Sequence, residues 1–196
     1  MVSVLLQIGQ FDVSIDYFIA HGKYDIFKIN EVLFEYDQPL LGGELMDYVH
    51  EIDTLIQKVS LAIGNPISRD TYEIVDRGLP HIPPTRLPAG KMAIYMFLHG
   101  DEFLKIGKAN QRSIARFCSQ HYGLNAPSTL AKSLLSDSGM SDPNIDPSNI
   151  KDWIKSNCRR IDIIINADLG VFTLELIEGV MHYKYEPKYE GFASQR

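Results

Sequence analysis

The sequence predicts an α+β fold, in which a small antiparallel sheet is flanked by helices and preceded by a smaller, mainly helical N-terminal region. The chain has 196 residues, of which 45% are hydrophobic, so it can bury a substantial core. A period typical of an amphipathic helix marks residues 43–65, residues 11–37 mix periods of two and four, and strand-like and helix-like patterns follow one another in the second half. These patterns together favour a mixed fold over an all-helical or all-strand one.

Composition divides the chain into residues 1–78, a connector at 79–90, and residues 91–196. The connector, LPHIPPTRLPAG, holds four of the ten prolines and is typical of an extended linker. Residues 1–90 carry six Lys or Arg against thirteen Asp or Glu, net −7, whereas residues 91–196 carry thirteen against twelve, net +1. We therefore expect residues 91–196 to face any polyanion, while the first 78 residues contain no motif that assigns them a role.

Cysteine usage and the N-terminus bear on location. The two cysteines, Cys118 and Cys158, form no CxxC pair and no Cys/His cluster, which argues against a disulfide framework or a zinc site. A reducing compartment, by default the cytoplasm, fits this usage. The N-terminus MVSVLLQIGQFD lacks a basic stretch and a cleavage site, and no apolar run could span a bilayer. We therefore expect a cytoplasmic protein with no membrane partner.

The clearest element of the first part is GELMDYVHEIDTLIQKVSLAIGN, in which apolar residues recur at alternating spacings of four and three. These residues are Leu45, Val49, Ile52, Ile56, Val59 and Ile63. The spacing predicts an amphipathic helix that ends at Gly64. A core helix is the favoured interpretation. A dimerising coiled-coil seam is the alternative, although the repeat runs for only about three heptads.

The second part begins with a predicted β-hairpin. MAIYMFL and EFLKIGK are rich in β-branched and aromatic residues, and HGDE between them supplies turn residues. If Leu98 pairs with Glu102, Tyr95 lies opposite Lys105 on one face. The other face is then apolar and suited to a core: Ile94, Met96, Leu98, Leu104 and Ile106.

In this register the Tyr95 hydroxyl and the Lys105 ammonium share a small space, which Ala93 and Gly107 beside them leave open. A phenol is a poor base at neutral pH, but an adjacent cation favours its ionised form. Lys105 could therefore make Tyr95 a proton acceptor. A half-buried ring covered by the lysine stem is the alternative.

Helical and strand patterns continue after the hairpin. ANQRSIARFCSQHYG predicts a helix that presents Arg112, Arg116 and Gln120 in one row, suited to a phosphate. NIKDWIKSNC predicts a helix, RRIDIIINA a strand, and LGVFTLELIEGVMHYKYE a long helix closed by Pro187. Asp168 is the expected N-cap of this last helix.

The order of these elements resembles the GIY-YIG nuclease family over residues 91–191. AIY, ending at Tyr95, stands at the position of the first triplet, and the stretch Lys105-Ile106-Gly107 at that of the second. A helical arginine follows at Arg116, and Glu178 lies nine residues before PKY. Each triplet is common, but four elements in the expected order make a more specific signal.

Two positions depart from the family pattern. Ala93 stands where the first glycine is usual, which adds a methyl group beside the expected phosphate path. Lys105 replaces the tyrosine of the second triplet. This replacement resembles a restriction-endonuclease branch of the family and some phage-type members, in which a lysine assists the tyrosine base.

The resemblance implies an endonuclease that depends on Mg²⁺, or on Mn²⁺ in its place, and leaves 5′-phosphate and 3′-hydroxyl ends. Glu178 is then the metal ligand, Tyr95 with Lys105 the proton acceptor, and Arg116 the partner of the scissile phosphate. His121 is a further catalytic candidate. Contacts to the substrate are expected from Gly107, Lys108 and Arg112.

Three of these assignments have alternatives. His121 lies near the apolar side of its predicted helix, so it could be a packed core histidine. Glu175 lies three residues before Glu178 on the same helix and is interpreted as a solvated residue that could hold a metal-bound water. His182, one turn after Glu178, is interpreted as a surface histidine.

Two functions follow from the sequence. The first is a metal-dependent endonuclease of restriction, phage or mobile-element type, with nucleic acid, favoured as DNA, as its partner. Residues 1–78 could then read sequence or form a homodimer contact. The second is a catalytically silent module of the same fold that binds nucleic acid or a protein, which Ala93 and the weak net charge of residues 91–196 favour. The joint presence of Tyr95, Lys105, Arg116 and Glu178 favours the first.

Overall fold

The computed structural model describes residues 47–140 and 145–189, and before them the backbone of three strands. The chain forms two compact units, Met1–Met46 and Asp47–Arg196. The described strands of the first unit are β1 (Val2–Ile8), β2 (Phe11–Ala20) and β3 (Lys23–Asp25), paired antiparallel in the order β1-β2-β3. The prediction of a mainly helical region at residues 1–78 is therefore wrong for these segments.

The second unit contains four strands and five α-helices among its described residues. Its strands are β4 (Tyr72–Asp76), β5 (Lys91–His99), β6 (Glu102–Ala109) and β7 (Arg159–Asn166). Its helices are α1 (Tyr48–Ala62), α2 (Ile114–Cys118), α3 (Leu130–Ser136), α4 (Ile150–Asn157) and α5 (Val171–Tyr185). None of the described helices is both long and apolar enough to cross a membrane.

The four strands form one antiparallel sheet in the order β4-β7-β5-β6. One face packs against α1 and α5, around buried residues of β5 and β7 such as Ile94 and Ile163. The other face packs against α2, α3 and α4, around residues such as Phe97 and Phe117. The predicted fold class, a small antiparallel sheet flanked by helices, is confirmed.

The boundary between the units differs from the prediction. β4 pairs with β7 over Tyr72–Asp76, and α1 packs on the same sheet, so both belong to the second unit. The proline-rich stretch at 79–90 is not a linker between domains, because His81 and Leu87 within it are buried in that unit. Composition misled here because prolines suit any extended segment, including one that lies against a sheet.

α1 confirms the core-helix interpretation within the described residues. Asp47 caps its N-terminus by accepting a hydrogen bond from the His50 N–H at 3.1 Å. Ile52 and Ile56 are buried against the sheet, and each such burial stabilises the fold by about 1.5–3 kcal/mol. The predicted beginning of this helix at Gly43–Leu45 lies outside the described residues.

The predicted hairpin forms, but its turn is shorter than expected. His99 pairs with Glu102, so only Gly100 and Asp101 form the loop. Gly100 has φ +59°, the left-handed conformation that a two-residue hairpin turn requires. This shorter turn shifts the register by one residue relative to the predicted pairing of Leu98 with Glu102.

A β-bulge shifts the register by one more residue. Phe103 pairs with Leu98 and Lys105 with Phe97, so Leu104 between them has no partner in the ladder. The bulge also exchanges faces: Phe103 joins the α1/α5 side, and Leu104, predicted there, joins the opposite side.

The later elements that the sequence predicts are present, with two differences, whereas α3 lies in a segment for which no element was predicted. α4, β7 and α5 lie where their patterns predict them. α2 has only five residues and is followed by a 3₁₀ turn at Gln120–Tyr122, so the predicted row of Arg112, Arg116 and Gln120 does not form on one helix. Gly170 is the N-cap residue of α5, whereas Asp168 lies in the 3₁₀ turn Ala167–Leu169 before it.

Candidate functional site

Tyr95 occupies the middle of the sheet, on the face covered by α2, α3 and α4. It lies opposite Gly107 of β6 on one side and Asp162 of β7 on the other. A Cβ on Gly107 would lie 2.4 Å from the Tyr95 Oη, so the ring extends across this glycine. Only glycine permits this approach. The space beside Tyr95 is therefore filled by its own ring, rather than left open as predicted, and the side chain is 2% exposed.

The two register shifts change the partner of Tyr95 but not the face. Tyr95 lies opposite Gly107 instead of Lys105, and Ala93 lies opposite Ala109 instead of Gly107. Because the shifts add to two residues, Lys105 stays on the face of Tyr95 as its diagonal neighbour.

His121 contacts the phenol directly. Its Nε2 lies 2.8 Å from the Tyr95 Oη, and its Nδ1 accepts the Leu130 N–H at 3.4 Å. This assigns the ring proton to Nε2, so His121 donates to the phenol oxygen. Burial, and then the charges of Lys105, Arg160 and Arg116, lower the pKa of His121 to about 3. His121 is therefore a neutral donor, and it is both buried in the core and in contact with the candidate base.

Lys105 brings a positive charge to this pair. Its side chain is buried, with the residue 7% exposed, and its Nζ donates to the Tyr189 carbonyl at 3.3 Å. Its charge acts on His121. Tyr95, Lys105 and His121, three of the predicted catalytic residues, are thus together on one face of the sheet.

The predicted arginines lie at the exposed side of this cluster. Arg116 is exposed on α2, and its charge also acts on His121. Arg112 is exposed in the turn before α2. Arg116 is therefore an exposed cation that an incoming phosphate could contact and whose charge acts on His121.

Glu178 lies on the other side of the sheet from Tyr95. The Lys108 Nζ is 2.6 Å from the Glu178 Oε2 and 3.5 Å from the Glu175 Oε1. Side chains alternate along a strand, so Lys108 leaves β6 from the α5 side while Gly107 faces Tyr95. The hydrogen bond to Glu178 raises the pKa of Lys108. Glu178, the predicted metal ligand, and Tyr95, the predicted base, therefore contact adjacent residues of β6, Lys108 and Gly107, from opposite faces of the sheet.

The carboxylates of α5 are compatible with a hard cation. Among residues 47–140 and 145–189, no group of three or more His, Cys, Asp or Glu side chains could hold a metal. Glu175 and Glu178 nevertheless converge on one cation, the Lys108 ammonium. Mg²⁺ is commonly held by one or two carboxylates and keeps several waters, so this donor set fits it in competition with Lys108.

The structure contains a buried polar network beside Tyr95 that the sequence analysis did not predict. Arg160, on β7, donates to Asp162 and to the hydroxyl of Tyr122. Arg77 also donates to Asp162, and the His81 Nε2 lies 2.7 Å from the Tyr122 Oη. The sequence RRIDIIIN could have indicated this network. In it Arg160 and Asp162 alternate with isoleucines, so the two charged residues share one face of a buried strand.

Comparison with known proteins adds no relative: no protein-family model, no curated protein and no solved structure matches this chain.

Proposed function

We propose that this protein is a metal-dependent endonuclease that hydrolyses phosphodiester bonds, with DNA as the favoured substrate and the cytoplasm as its location. The observation that supports this most is the environment of the Tyr95 hydroxyl. It accepts a hydrogen bond from the neutral His121 at 2.8 Å, lies across Gly107, and has the Lys105 ammonium on the same face. A donor and a nearby cation both stabilise negative charge on a phenol oxygen.

In this proposal Tyr95 accepts the proton of the attacking water. His121 donates a hydrogen bond to the phenol oxygen, and the positive charge of Lys105 on the same face favours the charged form of the phenol. His121 stays neutral, so it adds no competing acid. Arg116, exposed on α2, pairs with the scissile phosphate and its growing charge.

Glu178 would hold Mg²⁺, with Glu175 beside it, after Lys108 releases the carboxylate. When bound, the ion would supply positive charge that offsets the charge of the phosphoryl group. Because Glu178 and Tyr95 lie on opposite faces of the sheet, the substrate must reach both around the edge strand β6. When no ion is present, the Lys108 ammonium compensates the charge of the two carboxylates.

A catalytically silent module that binds nucleic acid or a protein is the second candidate function. It is favoured by the burial of Tyr95, by the ion pair that occupies Glu178, and by the sheet that separates Glu178 from Tyr95. A hydrolase would need water to reach the Tyr95 hydroxyl past the α2 segment, whereas a silent module would not.

The test is incubation with mixed DNA and RNA substrates, with Mg²⁺, with Mn²⁺ and with chelator, followed by analysis of the product ends. Metal-dependent cleavage with 5′-phosphate ends supports the endonuclease. Glu178→Gln keeps the side-chain volume but removes the charge, so we expect it to abolish cleavage, whereas the matched change Glu175→Gln should keep most of the rate. Equal losses in the two variants would contradict the assignment of Glu178.

A double-mutant cycle tests the base. Tyr95→Phe and Lys105→Met should each lower kcat with little change in affinity for DNA, because both act on charge that develops in the transition state. If Lys105 acts through Tyr95, the double variant should lose much less than the two single losses combined. Losses that simply add would show that the two residues act independently.

A further inference from the structure

Arg160 makes three hydrogen bonds from the middle of the sheet. Its Nε donates to the Asp162 Oδ1 at 2.9 Å, its Nη1 to the Tyr122 Oη at 2.9 Å, and its Nη2 to the Phe117 carbonyl at 2.8 Å. The residue is 1% exposed, and its guanidinium lies 5.0 Å from the centre of the Phe117 ring. A buried arginine with two of its three bonds directed at one segment is a fixed support rather than a surface cation.

Two of these bonds bracket the segment that carries the predicted catalytic side chains. Phe117 directly follows Arg116, and Tyr122 directly follows His121. Arg160 therefore holds the α2 end of the segment through a main-chain carbonyl and its 3₁₀ end through a hydroxyl. We infer that Arg160 is a positioning residue for the proposed reaction: it acts through His121 and Arg116 and does not itself contact the substrate. This inference rests on the proposed function for its catalytic consequence, but its structural part does not.

The hydrogen bonds continue beyond Tyr122 in one direction. The His81 Nδ1 is 2.6 Å from the Cys158 carbonyl, which can only accept, so the proton is on Nδ1 and Nε2 accepts from the Tyr122 hydroxyl at 2.7 Å. Burial lowers the pKa of His81, which agrees with a neutral ring. Tyr122 thus accepts from Arg160 and donates to His81, so the 3₁₀ turn is anchored on both sides.

Asp162 compensates the buried positive charge of the Arg160 guanidinium. It is fully buried, accepts from Arg160, and forms a second ion pair with Arg77. The planar fork of an arginine can reach three acceptors at fixed angles, whereas a lysine is a point charge on a flexible stem. Arg160→Lys therefore keeps the charge beside Asp162 but loses the hydrogen bonds to the Phe117 carbonyl and the Tyr122 hydroxyl.

The test compares Arg160→Lys with Arg159→Lys in the full chain. Arg159 directly precedes Arg160 on β7 and pairs with Asp76. The variant Arg159→Lys therefore controls for the loss of an arginine from this strand. Two readouts are needed: kcat and KM for DNA cleavage, and the ¹⁵N resonances of the His121 ring, which report its protonated nitrogen and its hydrogen bond to Tyr95.

We expect Arg160→Lys to lower kcat by about 10- to 100-fold with little change in KM, because small misplacements of reacting groups cost this much. The His121 Nε2–H signature should be lost or exchange-broadened in this variant and unchanged in Arg159→Lys. If Arg160→Lys does not fold, Tyr122→Phe replaces it. This change removes only the hydroxyl, with its bonds to Arg160 and His81, and should weaken the same signature.

The resonance measurement needs no substrate, so it separates this inference from the proposed function. If the natural chain cleaves no nucleic acid, the proposed function fails, while a lost His121 signature in Arg160→Lys still supports the positioning role. An unchanged His121 signature in both Arg160→Lys and Tyr122→Phe, or an equal change in Arg159→Lys, would overturn the inference.

Discussion

At the scale of single residues, the position of Tyr95 depends on the absence of a side chain at Gly107. The phenol ring lies where a Cβ would be, and from this position its oxygen contacts His121 at 2.8 Å. The proposed base is therefore placed by a close approach between two strands, and the chemistry of the pair depends on the smallest residue of the site.

Gly107→Ala should destabilise the fold by about 1–3 kcal/mol, because the new methyl group would overlap the Tyr95 ring in a fully packed layer. Urea unfolding measures the loss. Gly179→Ala on α5 is the matched control, since nothing lies within 4 Å of its Cβ, and it should stabilise the helix by up to about 1 kcal/mol. A Gly107→Ala variant as stable as the natural chain would show that the ring is not held there.

Two buried histidines should make stability depend on pH. The folded-state pKa is lowered to about 3 for His121 and is also lowered for His81, both chiefly by burial. As pH falls below the ordinary histidine value of about 6.5, the unfolded chain takes up protons that the folded chain does not. Stability is therefore fully present above that value and should fall by up to about 1.4 kcal/mol per pH unit for each histidine below it.

Urea unfolding between pH 4.5 and 7.5 checks this slope. Two carboxylates act below this window. Burial is the largest influence on Asp76 and raises its pKa, but the bonds from Arg159 and the Gly78 N–H together lower it. The Tyr189 hydroxyl, and then Lys188, lower the pKa of Asp137. His121→Gln should reduce the slope of unfolding free energy against pH by up to about 1.4 kcal/mol per pH unit, the contribution of one proton. A slope that is the same with and without His121 would contradict the assignment of a neutral buried ring.

At the scale of elements, the edge strand β6 is covered at its beginning by the chain after α5. The Lys188 N–H donates to the Phe103 carbonyl and the Tyr189 N–H to the Leu104 carbonyl, each at 2.9 Å. The Tyr189 carbonyl also accepts from Lys105, so this short segment supports both the sheet edge and the lysine of the site.

Two truncations isolate the contribution of this segment. Ending the chain after Pro187 removes both main-chain bonds and should cost roughly 2–3 kcal/mol, at about 1 kcal/mol for each bond plus the loss of ion pairs. Ending it after Tyr189 keeps them and serves as the control. The shorter chain should also self-associate, because an uncovered strand edge pairs readily with another chain. Equal stability and equal sedimentation of the two chains would contradict this role.

At the scale of the whole molecule, the division into two units determines which fragment can fold. The second unit includes α1 and β4, which bury one face of the sheet and pair with β7. A fragment Asp47–Arg196 should therefore fold, whereas a fragment that begins at Lys91 lacks both elements, exposes apolar residues of the sheet, and should aggregate. Circular dichroism and sedimentation compare them, and a monomeric, folded Lys91 fragment would contradict this prediction.

The fragment Asp47–Arg196 also tests the role of the first unit in the proposed function. Residues 1–46 carry two Lys against seven Asp or Glu, a net charge of −5, which opposes contact with a duplex. We expect the fragment to keep metal-dependent nicking while any site selectivity of the full chain is lost. Cleavage patterns of the two chains, run side by side, measure the difference, and a fragment with unchanged selectivity would exclude the first unit from recognition.

Local patterns in the sequence were sufficient for six of the elements and for part of the candidate site, but they did not predict β1–β4 or α3. The periodicity of α1, α4 and α5 and the composition of β5, β6 and β7 predict them, because these signals come from neighbours along the chain. The sequence also places Tyr95, Lys105 and Gly107 on one face, since strand alternation survives a shift of two residues. The proposed activity remains a prediction.

The tertiary structure alone decided which residues meet. The two-residue turn and the bulge set the register, and β4 joined the sheet through a partner strand more than eighty residues away, as in the pair Tyr72 and Ile165. The network around Arg160 and the position of Glu178 across the sheet from Tyr95 likewise depend on packing between distant segments. Periodicity carries no information on such contacts, because they are selected by the free energy of burying and pairing groups in the whole fold.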